Sequence, residues 1–263
     1  MILTFPARFM MRTLCIMCLL VSVTQADAAD EEDLAITPYR PSVSNSADLP
    51  VPGQLEMELG LLSAQKDLAR RHSLPYLFKL AFNPSWGVLI GGEARIVNND
   101  GAGRQIQGSG DTNLVLKYAW EQDEQRSWGL ELGGKIPSVE PELSSGKRDY
   151  TLNGIYSEDM DRWHLDLNLS ATRLGLQETG LSSWQSAVAA AMSYTVNDKL
   201  ELTGEWSGTQ RKGGKPQNQM LFAFTYSPTK RLSLDAGFTK GVSSAANDWT
   251  FFTGIVIPVA KLF

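Results

Sequence analysis

Apolar and polar residues alternate along most of this chain with a period of two, which is the spacing of a β-strand. In residues 128–136 tryptophan, leucine and isoleucine occupy one phase, whereas glutamate, lysine and glycine occupy the other. Residues 163–169 repeat the pattern. Such a strand contacts an apolar medium on one face and water on the other. All seven tryptophans fall in the apolar phase: Trp86, Trp120, Trp128, Trp163, Trp184, Trp206 and Trp249.

This pattern predicts an all-β fold, a transmembrane antiparallel up-and-down β-barrel of about 12 strands, with lipid outside and a polar lumen inside. The eighth predicted strand also fits a helix on propensity. A soluble β-sandwich is the alternative, but it would bury its tryptophans in mid-strand. The predicted strands are Gln54–Ser63, Leu74–Asn83, Trp86–Ile96, Asp111–Trp120, Ser127–Ile136, Asp149–Ser157, Arg162–Ala171, Trp184–Tyr194, Lys199–Trp206, Gln219–Tyr226, Arg231–Lys240 and Trp249–Phe263.

Long and short connections alternate between these strands, as external loops and periplasmic turns do in bacterial barrels. The long ones begin near residues 64, 97, 137, 172, 207 and 241, and several are rich in glycine, serine and asparagine. An even strand count with a short second connection predicts that both termini are periplasmic. The aromatic residues then form two membrane girdles, one near each interface, where amphipathic rings are favoured.

Residues 1–28 are typical of a secretory signal peptide, with Arg8 and Arg12 before an apolar core and Ala26-Asp27-Ala28 at the cleavage site. An uncleaved anchor is the alternative, but the apolar run is too short to span a bilayer. Cys15 and Cys18 are the only cysteines, so the mature chain is expected to have no disulfide, redox pair or cysteine metal site. These features predict the outer membrane of a Gram-negative bacterium.

Residues 29–53 differ in composition from the barrel region, 54–263. They begin with the acidic run 30–33 and contain four prolines, which keep the chain extended and out of a central strand. We predict a periplasmic N-terminal segment. The sequence leaves open whether it hangs free or folds into the barrel as a partial plug.

Charge and motifs exclude several classes of function. Removing residues 1–28 takes away two arginines and one aspartate and changes the formal net charge from −5 to −6. No basic patch remains for nucleic acid. No metal-ligand cluster or nucleotide-binding loop is present, so no cofactor is predicted.

The phase opposite the tryptophans carries the polar residues expected to line the lumen, where acids outnumber bases. Two interpretations remain open. Cross-strand ion pairs could fill and stiffen the interior, or the charges could line a solute pathway that favours cations or polar neutral solutes. The candidate residues are Glu56, Glu58, Lys79, Glu93, Arg95, Asp111, Lys117, Glu131, Lys135, His164, Asp166, Glu201, Glu205 and Asp235.

Barrel enzymes of the outer membrane are a further class to consider, since a histidine beside a carboxylate and a serine could be catalytic. His164 and Asp166 share a phase on one predicted strand, but no serine shares it there. We therefore interpret His164 as a hydrogen-bonding lumen residue and predict that the protein is not an enzyme.

Several short motifs stand out in the run 108–118, in the entry 40–42 with 52–56, and in 135–137, 235–237 and 247–248. These motifs resemble the phenol-degradation meta-pathway transporter family of outer-membrane proteins. The resemblance implies a barrel of about twelve strands. The terminal Phe263 resembles the signal read by the outer-membrane assembly machinery, although Lys261 departs from that signal's apolar phase.

Together these observations predict a channel or transporter for small solutes, with aromatic or hydrophobic compounds implied by the resemblance alone. The alternative is a non-conducting structural or binding barrel. The expected partners are outer-membrane lipid, lipopolysaccharide, the assembly machinery and a small solute.

Overall fold

The alternating stretches form strands whose apolar phase faces outward and whose polar phase faces inward. The computed structural model describes residues 35–138 and 141–263; the predicted signal peptide lies outside them. The strands are β1 (Gln54–Lys66), β2 (Ala69–Asn83), β3 (Trp86–Asn99), β4 (Gln105–Gly108), β5 (Thr112–Glu121), β6 (Arg126–Ile136), β7 (Tyr150–Met160), β8 (Trp163–Arg173), β9 (Trp184–Asn197), β10 (Leu200–Arg211), β11 (Gln217–Thr229), β12 (Leu232–Gly241) and β13 (Trp249–Lys261).

The sheet closes on itself, because β1 pairs with both β2 and β13 and every neighbouring pair is antiparallel. The short β4 and β5 follow one another along the same edge of β3. The 13 segments therefore form a closed barrel of 12 strands, which confirms the predicted fold class. The eighth predicted strand is indeed a strand, β9. No helix in the described residues is long and apolar enough to cross a membrane.

The two ends of the barrel differ in their connections. At one end, called here the turn end, short turns cover residues 84–85, 122–125, 161–162, 198–199 and 230–231, and β1 begins and β13 ends there. The opposite, loop end carries connections 67–68, 100–104, 137–149, 174–183, 212–216 and 242–248. The predicted first long loop is wrong, because β1 and β2 keep pairing up to a two-residue turn. Asp67 occupies a left-handed conformation in that turn, with φ 52°, which aspartate tolerates.

A bulge in β3 changes the face of one predicted lumen residue. Pro75 of β2 pairs with Glu93, but the next residue of β2, Leu74, pairs with Arg95, so Ala94 has no partner across the ladder. An extra residue reverses the phase of everything beyond it. Arg95 therefore lies on the outer face with Leu74 and donates a hydrogen bond to Gln107 Oε1 at 2.8 Å. The prediction that Arg95 lines the lumen is wrong for this reason.

The seven tryptophans all lie exposed on the outer face. At the turn end, rings of neighbouring strands contact one another from Trp86 through Tyr118, Trp120 and Trp128 to Tyr156, at centroid distances of 4.8 to 6.3 Å. Trp184 and Trp249 begin their strands at the loop end. Trp206 instead lies within β10, because that strand continues to Arg211.

Candidate functional site in the barrel lumen

Residues 35–53, called here the lumenal segment, lie inside the barrel. The segment enters at the turn end, where the Ile36 amide donates to the Lys230 carbonyl at 3.0 Å. It reaches the middle of the lumen near Arg40 and returns to the turn end. There the Gly53 amide donates to the Ala81 carbonyl at 2.9 Å, immediately before β1. Of the two conformations that the sequence left open, the structure therefore shows the inserted one.

Two acids of β1 and a lysine of β2 receive the first part of the lumenal segment. Lys79 Nζ lies 3.1 Å from Glu56 Oε2 and 2.6 Å from Glu58 Oε1, and all three side chains are almost completely buried. The carboxylates also accept backbone N–H groups, Glu56 from Thr37 at 3.1 Å and Glu58 from Tyr39 at 2.8 Å. Since buried charges are costly unless paired and hydrogen-bonded, this cluster depends on the segment.

Tyr39 lies between two buried lysines. The Nζ atoms of Lys79 and Lys117 lie 4.3 and 4.2 Å from its ring centroid, distances suited to cation–π interaction. Lys117 also donates to the Tyr39 hydroxyl at 2.8 Å and to the Ser46 carbonyl. Its carboxylate partner is Glu131 at 3.5 Å. The Tyr39 side chain thus contacts both lysines. The sequence predicted that these lysines line the lumen, but it did not indicate their contact with the segment.

Arg40 attaches the segment to β12, which is separated from β1 only by β13. Its Nε and Nη2 atoms donate to the two oxygens of Asp235, each at 2.9 Å, a bidentate geometry that arginine favours. Gly60 and Gly254 pair with each other across β1 and β13. A side-chain carbon at either position would overlap the Arg40 guanidinium. These two glycines therefore form the slot through which Arg40 passes.

The bend of the segment is held by the far wall. Glu205 Oε2 accepts the amides of Val43 and Ser44 at 2.8 and 2.9 Å and the Ser44 hydroxyl at 2.8 Å. Asn45 donates to both oxygens of Glu131 at 3.1 Å. The acidic excess predicted for the lumen is thus largely the set of acceptors for this segment.

Two further glycines lie beside the part of the segment that returns to the turn end. A side-chain carbon at Gly87 would lie 2.7 Å from Leu49, and one at Gly129 would lie 3.3 Å from the Ala47 backbone. Both glycines face inward, so their missing side chains leave the space that the segment occupies.

The remaining predicted lumen residues lie away from the segment or beside its end. Glu93 pairs with Arg71 at 2.5 Å, and Asp111 pairs with Lys135 at 3.1 Å. Lys135 also pairs with Asp149 at 2.8 Å. Glu201 faces the lumen at the turn end. Ion pairs between neighbouring strands therefore exist, among them Asp111 with Lys135 and Lys117 with Glu131.

His164 belongs to a hydrogen-bonded chain at the turn end. Its Nδ1 lies 2.7 Å from Asp159 and its Nε2 lies 3.2 Å from Asp166. Ser157, on the neighbouring strand β7, donates to Asp166 at 2.5 Å and accepts the Ala47 amide at 2.8 Å. Sequence reasoning missed Ser157, because only the β7–β8 register brings it to Asp166. The carboxylate stands between serine and histidine, so Ser157 has no histidine as its base in this geometry.

The loop-end half of the lumen contains two cavities. One, of about 420 Å³, has Val43 and Asn45 of the segment on its floor and polar wall residues such as Asn168, Ser207 and Gln219 around it. The other, of about 380 Å³, lies against β2, β3 and β5. Among the described residues, no group of three or more His, Cys, Asp or Glu is arranged to hold a metal ion.

Two described residues of the connection 137–149 lie beside the second cavity: Ser138 is bound to Asp111, and Leu143 lines the cavity. This carboxylate accepts the Ser138 amide at 2.9 Å and contacts Lys135. Partial burial acts to raise the pKa of Asp111, but hydrogen bonds from Ser144, Ser138 and Lys135 together lower it below its ordinary value. The tether is therefore ionised at neutral pH.

The sequence matches the family described as "Putative MetA-pathway of phenol degradation" over residues 39–257. The chain belongs to this family. The match includes most of the lumenal segment as well as the barrel, which confirms the predicted resemblance. No curated protein shows significant sequence similarity to the chain.

Solved structures share the fold at low sequence identity. A COG4313 outer membrane channel from Pseudomonas putida F1 has a TM-score of 0.62 at 12% identity, covering 88% of this chain and 100% of that one. The NanC porin has a TM-score of 0.56 at 11% identity, covering 78% and 100% of the two chains. The KdgM porin has a TM-score of 0.51 at 12% identity, covering 77% and 99%. These neighbours are an outer membrane channel and two porins, and they share the barrel fold with this chain.

Proposed function

We propose that this protein is an outer-membrane channel for small solutes that its own lumenal segment closes at the turn end. The observation that carries the proposal is the set of wall groups bound by the segment. They come from strands on every side of the barrel and include Glu58, Asp235, Glu205 and Glu131. Four inward glycines leave room for it. Because the wall provides both hydrogen-bond acceptors and space for the segment, these contacts support closure of the channel by the chain's own N-terminal residues.

In this proposal the turn end faces the periplasm, with both termini there, as the loop lengths predict. The mature chain begins after residue 28, and Phe263 serves as the assembly signal. The tryptophans form the membrane girdles, in contact with lipid and lipopolysaccharide. We assign no enzymatic role, because the histidine of this hydrogen-bonded chain contacts Asp166 and not Ser157. The family description supports small aromatic or other apolar compounds as solutes.

Opening requires the segment to leave its acceptors. Glu56, Glu58, Glu205 and Asp235 would then line a water-filled passage in which Lys79 compensates only part of the negative charge. A passage with an acidic excess raises the local concentration of cations. The open channel is therefore expected to prefer cations, although the closed lumen shows most of its acids already paired.

Planar-bilayer recordings of the refolded mature protein and of a variant that lacks residues 29–53 test the proposal. We expect the full chain to show low or brief conductance, and the truncated chain to show larger, steady and cation-selective currents. Heat-modifiable migration on gels verifies that both barrels are folded. Equal currents from the two folded proteins would contradict closure by the segment. No current from either would favour the non-conducting barrel.

A further inference from the structure

The inward face of three adjacent strands is apolar at one level of the lumen. Leu77 of β2, Leu89 of β3 and Val115 of β5 all line the 380 Å³ cavity. Leu89 pairs directly with Val115, and Leu77 pairs with Gly91. Lipid requires apolar residues only on the outer face of a barrel. The membrane therefore does not explain these three inward side chains.

The level of this patch is fixed by the pairing. Lys79, two residues from Leu77 on β2, pairs with Leu89, and Lys117, two residues from Val115 on β5, pairs with Gly87. Both lysines contact Tyr39 of the lumenal segment. The apolar patch thus begins immediately on the loop-end side of the closed part of the lumen.

A fourth apolar side chain comes from outside the barrel wall. Leu143, in the connection 137–149, also lines the cavity. The connection is held in place by Ser138 on Asp111 and by Ser145 on Lys135 at 3.0 Å. A cavity remains between Leu143 and the wall, so the leucine covers the patch without filling it.

Polar groups border the same cavity on the loop-end side. Glu93 and Asp111 line it, and each is ion-paired, Glu93 with Arg71 and Asp111 with Lys135. Asn113 lines it as well, and its side chain makes no hydrogen bond to any residue that the structure describes. An amide offers both a donor and an acceptor. No unpaired charge faces this cavity from the wall residues named here.

We propose that this cavity binds a small neutral amphipathic molecule, with an apolar body against Leu77, Leu89, Val115 and Leu143 and a hydroxyl or amide on Asn113. A mostly apolar lining with a few oriented polar groups is typical of ligand pockets, and 380 Å³ lies at the small end of their range. The inference deepens the proposed channel function, on which it rests, by giving the solute a resting site above the closure.

Methyl-detected NMR of the full mature chain in detergent, with leucine and valine methyls labelled, tests the site directly. Benzyl alcohol has both an apolar ring and a hydroxyl, toluene lacks the hydroxyl, and glycerol lacks the ring. We expect benzyl alcohol to shift the methyls of Leu77, Leu89, Val115 and Leu143 saturably. Outward methyls such as Leu132 report partition into the detergent and should shift linearly. Glycerol should shift neither set.

Substitutions separate the two halves of the site. Leu143→Ser is expected to weaken the binding of benzyl alcohol at least 10-fold, because it replaces one of the four apolar side chains that contact the ring with a hydroxyl. Leu68→Ser is the matched control, since Leu68 is also in a loop-end connection, is 78% exposed and does not line the cavity. Asn113→Ala is expected to weaken the binding of benzyl alcohol about 5- to 10-fold, because one hydrogen bond is lost. The binding of toluene, which has no hydroxyl, should be unchanged.

Linear shifts of the lumenal methyls, or equal affinities in Leu143→Ser and the parent, would overturn the site. The NMR titrations of the parent and of the variants do not depend on conduction through the barrel. Saturable binding in a barrel that conducts nothing would therefore reject the channel and retain the binding site, whereas conduction without binding would do the reverse.

Discussion

The two halves of the lumen are built from the same strands but are filled in different ways. In the turn-end half, Lys79 and Lys117 are fully buried, and the acids around them bind the lumenal segment. In the loop-end half, two cavities of about 380 and 420 Å³ remain between wall residues. The difference follows the chain's own N-terminal residues, whose contacts fill the turn-end half. Under the proposed function, closure of this barrel is an intramolecular binding equilibrium.

The two halves also differ in how they respond to the loss of a partner. A buried carboxylate or ammonium that loses its partner remains desolvated, and breaking one buried pair typically costs about 3 to 5 kcal/mol. Around the open cavities a lost partner is replaced by water at little cost. Substitutions in the turn-end half should consequently have much larger effects than similar ones in the loop-end half.

The largest effect is expected from Lys79→Met, which leaves Glu56 and Glu58 buried without their cation. We expect a loss of about 3 to 5 kcal/mol in the free energy of unfolding, measured by urea titration of heat-modifiable migration. Lys215→Met, in the exposed connection 212–216, is the matched control and should change little. Adding Glu56→Gln and Glu58→Gln to Lys79→Met should recover much of the loss. If Lys79→Met had the same free energy of unfolding as the parent, the burial of Glu56 and Glu58 would not depend on Lys79.

A smaller effect, confined to the segment, is expected from Gly254→Ala. The added methyl would overlap the Arg40 guanidinium, so the bidentate pair with Asp235 must break or shift. Such overpacking costs about 1 to 3 kcal/mol, which corresponds to roughly a 5- to 150-fold larger open fraction in bilayer recordings. Gly204→Ala is the control, because no atom lies within 4 Å of the added carbon there. Unchanged opening in Gly254→Ala would show that Arg40 does not hold the segment closed.

The barrel itself could be predicted from the sequence because period-two alternation is a local signal. The alternation within one strand shows which residues share a face, whichever strands lie beside it. The strand count and the outward tryptophans were therefore predicted correctly. Arg95 is an exception, because local alternation predicted the wrong face for it. The bulge at Ala94 is visible only in the pairing of β2 with β3, and one extra residue moves Arg95 to the outer face.

The candidate site was only partly predictable for a related reason. The lumenal acids were found by phase, but their partners lie far away in sequence: Arg40 binds Asp235, and Val43 binds Glu205. Proline-rich composition indicated that residues 29–53 are extended and left their location open. Inward glycines such as Gly60 and Gly254 were a usable signal, because a small residue facing a lumen leaves space that something else can occupy.

The smallest effect is expected at the loop end, where acid should release the connection 137–149. The pKa of Asp111 is lowered by its hydrogen bonds, so the tether contributes fully above the ordinary aspartate pKa of about 4. It is lost as the pH falls through the lowered value. The amide proton of Ser138, which donates to Asp111, should follow this titration in NMR spectra, whereas in Asp111→Asn it should be independent of pH. A Ser138 amide that keeps the same pH dependence in Asp111→Asn would show that Asp111 does not tether this connection, and the loop-end half would then have no acid-released contact of its own.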